Sequence, residues 1–243
     1  SELQGQVTGS HDVNATGRSS TDIDADGHGT LVSSVIVARK DGVGVHGVAY
    51  EAKVLSIRAD THDSCANTAE DEGCSFSDSS LITAINYAVS NGAKIINMSL
   101  GGDGNISAQL KAAIVSATNS GVLFAISAGN DGAAPTSTAA AEGIRPSEPA
   151  IVAGDPAVNG RVVAVGAVGP NGQMPTYSNR AGSTANFYLL APGGAGALGQ
   201  NLVAAGSDGG YYSVSGTSFA APHVAGALAL MLDLFPNMTP ENA

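Results

Sequence analysis

Gly216-Thr217-Ser218-Phe219-Ala220-Ala221-Pro222-His223-Val224-Ala225-Gly226 runs straight into Ala227-Leu228-Ala229-Leu230-Met231-Leu232, and no other stretch restricts the fold so strongly. Apolar residues occupy nearly every side until Phe235-Pro236, so this helix must pass through the middle of a domain rather than lie on its surface. Pro222 is tolerated in a first turn, where its missing N–H bonds nothing, which predicts a helix start at or beside Ser218. A serine there meets the unpaired amides and the positive dipole end of the helix. That suits a nucleophile whose attack creates an oxyanion, because the Ser218 amide itself can donate to the developing charge. A plain N-cap serine is the alternative use of the position.

The rest of the chain supplies a sheet for that helix to cross. Val54 to Ile57 reads as a strand, and Ser79 to Val89 as a helix with Leu81, Ile82, Ile85, Ala88 and Val89 on one face, ended by Asn91-Gly92. Further strands are predicted over 94–100, 122–127, 161–168 and 186–190, with one more ending at Ser215. Helices are predicted over 31–38 and 107–118, and residues 1–27 read as irregular turn sequence. Strands alternating with crossover helices imply an α/β protein with a mostly parallel sheet and helices on both faces. Active sites in such sheets lie at the carboxyl ends of the strands.

Composition narrows the partners. A chain of 243 residues holds one large, well-buried domain, and its net charge of −11 repels nucleic acid and anionic membrane surfaces. No apolar run is expected to reach the ~18 residues of a membrane span, and Ser1-Glu2-Leu3-Gln4-Gly5 does not look like a signal peptide. Cys65 and Cys74 sit in the polar insert 61–80, which fits a disulfide clasp in an oxidising compartment; His62 makes a metal site the alternative. Two motifs fail. Asp22-Ile23-Asp24-Ala25-Asp26-Gly27 begins like a calcium loop but has Ser33 where the bidentate glutamate belongs. Gly194-Ala195-Gly196-Ala197-Leu198-Gly199 spells a dinucleotide motif but has no helix after it, so it reads as a loop.

His28 opens a helix between two glycines, Asn130 follows a buried strand, and Ser218 opens the central helix, so base, amide donor and nucleophile all fall at element ends. The motifs Gly27-His28-Gly29-Thr30, Ser99-Leu100-Gly101-Gly102, Ser127-Ala128-Gly129-Asn130-Asp131-Gly132, Ala191-Pro192-Gly193 and Gly216 to Gly226 occur in the order found in the subtilisin-like serine proteases, or subtilases, which this chain resembles from about residue 20 to its end. The resemblance implies a three-layer subtilisin-like fold and a secreted or cell-surface serine endopeptidase, monomeric, of broad apolar preference, acting on polypeptides. It implies Ser218 as nucleophile, His28 as general base and Asn130 as oxyanion donor beside the Ser218 amide. Ser99, Leu100, Gly101 and Gly102 would bind an extended substrate as an added strand, and Ser127, Ala128 and Gly129 would line the pocket for the residue before the cut. His223 reads as a buried structural histidine, and Asp26 as a solvated loop carboxylate.

The chain departs from the family in one respect. No apolar strand ending in aspartate precedes His28, and Asp12, Asp22 and Asp24 all read as turn residues, so the third member of the catalytic triad has no candidate. Thr239-Pro240-Glu241 starts a helix just before the last residue. The expectation is therefore one peptidase domain over 1–243 that lacks its first core strand and its C-terminal helix. An impaired protease, or a scaffold that binds peptides without cutting them, is the alternative. The chemistry requires no cofactor and no metal; the resemblance allows a structural calcium near Asp41-Gly42-Val43-Gly44.

Overall fold

Strands buried on both faces read as continuous apolar runs, and two stretches of this chain do so. They form β4 (Leu123–Ser127) and β5 (Val162–Val168), the centre of a four-stranded parallel sheet in the order β3-β4-β5-β6, with β3 at Ile95–Met98 and β6 at Tyr188–Pro192. A computed structural model provides this architecture and describes residues 2–16, 24, 27–62, 64–65, 74–132 and 143–236. Phe124, Ile126, Val162 and Ala164 point to one face, where α2 (Asp78–Ser90) and α3 (Ala108–Asn119) cover them. Ala125, Val165 and Ala167 point to the other, against α4 (Thr217–Leu234). The result is a three-layer α/β fold.

Local chemistry sets the helix ends. The Ser77 hydroxyl accepts the Ser80 amide at the start of α2, and the Ser107 hydroxyl accepts the Leu110 amide at the start of α3. Each cap satisfies one of the first-turn N–H groups that a helix leaves unbonded. The helix α1 (His28–Val37) starts three residues earlier than its apolar pattern suggests. Gly27, at φ +75°, turns the chain into it, and the Asp24 carboxylate accepts the Thr30 N–H at 2.8 Å and the Thr30 hydroxyl. Asp24 is thus a helix cap.

The amino-terminal region is not irregular throughout. Residues Val7–Asp12 form β1, paired in parallel with β2 (Val54–Arg58) and joined to no other described strand. Sequence pattern misses it because Val-Thr-Gly-Ser-His-Asp lacks an apolar face; its order comes from β2 and from the stack of His11 on Tyr87, ring centroids 3.8 Å apart. A second unexpected strand, β7 (Leu202–Ala205), makes an antiparallel hairpin with β8 (Tyr211–Val214), packed through Ala204 and Val214 against Val32 and Val35 of α1. β6 begins later than its expected start because 182–187 forms a 3₁₀ turn.

α4 also corrects two expectations. It is 18 residues long and apolar enough to cross a membrane by composition alone, yet it packs across β3, β4, β5 and β6 as the core helix. Its Pro222 lies inside the helix rather than in the first turn. The missing Pro222 N–H leaves the Ser218 carbonyl without its helical donor, and the Ser99 hydroxyl donates to that carbonyl at 2.7 Å instead.

Candidate active site

Ser218 is the second residue of α4, so its own amide has no acceptor one turn back. Gly216 precedes the helix at φ +141°, a conformation that favours glycine. The Gly216 amide donates to Gly193 O at 2.8 Å, which ties the helix entrance to the loop after β6. That loop also carries the glycine-rich 194–199 stretch, which forms no helix.

Asn130 lies just past the carboxyl end of β4 and is held in one orientation by Thr217. Its Oδ1 accepts the Thr217 amide and the Thr217 hydroxyl, both at 2.9 Å. The same hydroxyl accepts the Gly129 amide at 3.2 Å. With Oδ1 doubly occupied, the Asn130 Nδ2–H₂ is the end of the amide left to face a ligand. Asn179, fully buried, clamps the following turn: its Oδ1 accepts the Asp131 amide at 2.9 Å and the Gly132 amide at 3.2 Å, and its Nδ2 donates to the Asp131 carboxylate. A side chain at Gly129, which sits at φ +107°, would meet the Asn179 Nδ2 at 2.5 Å. Neither Thr217 nor Asn179 was singled out from sequence, because their partners lie 87 and 48 positions away.

His28 opens α1 with its ring edge-on to Phe219, centroids 5.6 Å apart, so it stands next to Ser218 in the fold. His28, Asn130 and Ser218 line one cleft of 1520 Å³. Ser99, Leu100, Gly101, Gly102, Ser127 and Gly129 also line it, whereas Ala128 lies fully buried behind. The Ala128 carbonyl there accepts both the Ser147 amide at 2.8 Å and the Ser147 hydroxyl. Ser127 is buried as well, and its hydroxyl donates to Leu100 O at 3.2 Å, fixing the segment after β3 against β4. Gly102 exchanges backbone hydrogen bonds with Glu148. A side chain on Gly101 would meet the Ser147 hydroxyl at 2.8 Å.

Burial shapes the titratable groups nearby. It raises the Glu148 carboxyl above the ordinary carboxylate range, with the Arg145 guanidinium opposing. It pushes the Tyr177 phenol up to about 12; that hydroxyl donates to the carbonyls of Gly193 and Gly194. It also lowers the His223 imidazole. His223 is half-buried, with Nδ1 bonded to Phe219 O at 2.8 Å, which agrees with a structural role.

The carboxylates upstream of His28 are placed as follows. Asp12 ends a strand after all, but an edge strand; its Oδ1 accepts the Asn14 amide and it does not line the cleft. Asp24 caps α1 as described, and Asp22 and Asp26 lie outside the described residues, as does Thr239-Pro240-Glu241. Cys65 and Cys74 are joined in a disulfide, which removes the thiolates that a metal site with His62 would need. The Asp41 carboxylate pairs with Arg39 at 3.1 Å and accepts the Val43 amide. Among the described residues no group of three or more His, Cys, Asp or Glu could hold a metal ion.

A serine, an imidazole and an oriented carboxamide line one cleft of this α/β fold. The chain belongs to the Subtilase family, whose model matches residues 3–243. It is similar to subtilisin amylosacchariticus of Bacillus subtilis subsp. amylosacchariticus, 34% identical over 216 residues, which is 89% of this chain and 48% of that protein. It is also similar to the major intracellular serine protease of Bacillus subtilis (strain 168), 34% identical over 208 residues, 86% of this chain and 56% of that one. Among solved structures, proteases from Pseudoalteromonas arctica superpose with a TM-score of 0.77 at 29% identity, covering 99% of this chain and 76% of theirs. The chain thus spans about half the length of the curated relatives it matches.

Proposed function

We propose that this chain is a serine endopeptidase in which Ser218 Oγ attacks the carbonyl carbon of a peptide bond, with His28 taking the hydroxyl proton. The charge that develops on the carbonyl oxygen is met by the Asn130 Nδ2–H₂ and the Ser218 amide. His28 then gives its proton to the departing amine, and a water deprotonated by the same imidazole releases the acyl group from Ser218. The observation that carries the reading is the fixing of Asn130: Thr217, next to the nucleophile, holds Oδ1 and so turns the donor end of the amide toward the cleft that His28 and Ser218 also line.

Ser99 to Gly102 offers an edge to an extended polypeptide, and Ser127 and Gly129 bound the neighbouring pocket, in keeping with a broad apolar preference. Ser99 has a further duty, because its hydroxyl replaces the helix donor that Pro222 lacks. The disulfide supports a secreted or cell-surface location. The chemistry needs no metal or cofactor. One domain, acting as a monomer, suffices to hold the site. Among the described residues β2 and β3 are not paired with each other. The second reading is a peptide-binding scaffold that does not cut.

Labelling with a fluorophosphonate probe separates the two. The catalytic reading expects covalent attachment at Ser218, lost in Ser218→Ala and strongly slowed in His28→Ala. Attachment that persists in Ser218→Ala would overturn the assignment of the nucleophile. No attachment to the folded chain would leave the scaffold.

A further inference from the structure

Two backbone segments bound the cleft, one after β3 and one after β4, and Ser147-Glu148 crosses from one to the other. The Ser147 amide donates to Ala128 O at 2.8 Å, and the Glu148 amide donates to Gly102 O at 3.2 Å. Gly102 returns the bond, its own amide donating to Glu148 O at 3.0 Å, so the two residues form an antiparallel bridge. With the Gly102 groups turned toward Glu148, alternation turns the N–H and C=O of Gly101 to the opposite side, where an extended chain can pair with them. Gly101 lies close against its support: a side chain there would meet the Ser147 hydroxyl at 2.8 Å and Glu148 O at 3.2 Å.

Packing does not hold the turn that follows. Residues Gly101 to Asn105 are all exposed, and a side chain added at Gly102 or Gly104 would meet nothing within 4 Å. The Glu148 side chain closes the turn instead. It is 13% exposed, with Oε1 at 3.6 Å from Arg145 Nη1, and the Ile106 amide donates to the same carboxylate. Ile106 directly precedes Ser107, the cap of α3. One residue thus grips both ends of the turn, Gly102 through its backbone and Ile106 through its carboxylate. Oε2 is buried and meets no donor among the described residues. A carboxylate placed so costs stability rather than supplying it, which makes a part in function the better account of its position.

We infer that Glu148 is a positioning residue for the polypeptide substrate: by gripping Gly102 and Ile106 it keeps the N–H and C=O of Gly101 in place to pair with an extended chain. The inference rests on the reading of Ser99 to Gly102 as the substrate edge, and not on whether the bound chain is cut. A loose edge has to be ordered each time a peptide binds, at a cost in affinity, and a held edge does not. Loss of the carboxylate therefore weakens peptide binding. It leaves the attack of Ser218 unchanged, because Glu148 touches no reacting atom.

The test is the affinity of the Ser218→Ala chain for a fluorescein-labelled peptide of alanine and leucine, read by fluorescence anisotropy, which needs no catalysis. Glu148→Ala is expected to weaken binding about fivefold, the worth of one hydrogen bond. Glu148→Asp keeps the charge beside Arg145 but loses the reach to Ile106, and should weaken binding to a similar extent. Glu148→Gln keeps an acceptor of the same reach and should stay within about twofold of its parent. The same peptide N-methylated at every amide cannot add as a strand, so it binds weakly and equally to all of these chains. With Ser218 restored, the variants should react with the fluorophosphonate at the rate of the unsubstituted chain. Several results would overturn the inference: Glu148→Ala and Glu148→Asp binding as tightly as their parent, Glu148→Gln binding as weakly as Glu148→Ala, or a fluorophosphonate rate that falls in step with affinity. The comparison of Gln with Asp decides the matter even where Glu148→Ala does not fold. A parent that binds the N-methylated peptide as well as the plain one would remove the substrate edge and this inference with it. Absence of labelling at Ser218 would refute the endopeptidase reading alone and leave the affinity result standing.

Discussion

β5, rich in valine, and β2, with valine, leucine and isoleucine, are both short parallel strands, yet they live in different surroundings. Val162, Ala164 and Val165 of β5 are fully excluded from water, between β4 and β6 and between two helix layers. Leu55 and Ile57 of β2 keep part of their surface exposed, and one edge of the strand is unpaired among the described residues. Burial on both faces and both edges therefore comes from neighbours, not from the strand's own residues. The continuous sheet carries Asn130 and packs against the helix that carries Ser218, whereas the isolated pair borders the cavity into which His28 opens.

The sharpest way to break this contrast is to truncate one side chain in each half. Phe124→Ala, at a site with no exposure, is expected to cost about 3–5 kcal/mol. Ile57→Ala, at a partly exposed position of β2, should cost about 1 kcal/mol or less. Urea unfolding of the two variants decides the matter: equal losses would mean that both halves form one packed core.

Within the site the expected effects fall on turnover. Asn130→Ala removes the donor from the oxyanion and should slow acylation of Ser218 by about 10²- to 10³-fold. Thr217→Val keeps the shape but removes the hydroxyl between Asn130 and Gly129, leaving only the Thr217 amide to orient the carboxamide. The expected slowing is about tenfold, with little change in substrate affinity. Fluorophosphonate labelling rates measure both. If Thr217→Val matched wild type, the rigid half would owe its orientation of Asn130 to something other than this hydroxyl.

A smaller effect sits where α4 meets the end of β3. Ser99→Ala leaves the Ser218 carbonyl without the donor that replaces the absent Pro222 amide, which should lower stability by about 1–2 kcal/mol. Pro222→Ala restores a backbone donor to that carbonyl. In the double variant the Ser99 loss should therefore shrink by at least about 0.5 kcal/mol, a coupling that a thermodynamic cycle reads directly. Strict additivity would show that the two devices do not serve the same carbonyl.

Sequence reached the continuous half well, and physics explains where it stopped. Helices α2 and α3 carry local caps and one apolar stripe each, and β4 and β5 are uninterrupted apolar runs, so every signal lies within a few residues of the element it specifies. His28, Asn130 and Ser218 were singled out because each sits among glycines or at an element's end, and all three line the cleft. β1 was not, since its polar residues become a strand only by pairing with β2, far along the chain. Pro222 was assigned to a first turn because the helix rule assumes that a missing amide has no substitute, and Ser99 is that substitute. Thr217 and Asn179 act through long-range hydrogen bonds to a turn that no spacing rule connects to them.

The smallest expected effect tests whether the rim of the continuous half is as strained electrostatically as its burial suggests. Glu148 pairs through its backbone with Gly102, and burial raises its carboxyl pKa despite Arg145, 3.6 Å away. A carboxyl raised on folding binds its proton more tightly in the native state. Its favourable contribution is therefore present below the unfolded pKa and is lost as pH rises through the folded one. Glu148→Gln, which is always neutral, should accordingly gain stability at pH 7 by no more than about 1 kcal/mol and gain none near pH 4. Thermal midpoints of the two proteins at both pH values check the sign. A variant less stable at pH 7 would mean that the Arg145 pairing outweighs the desolvation of the carboxylate.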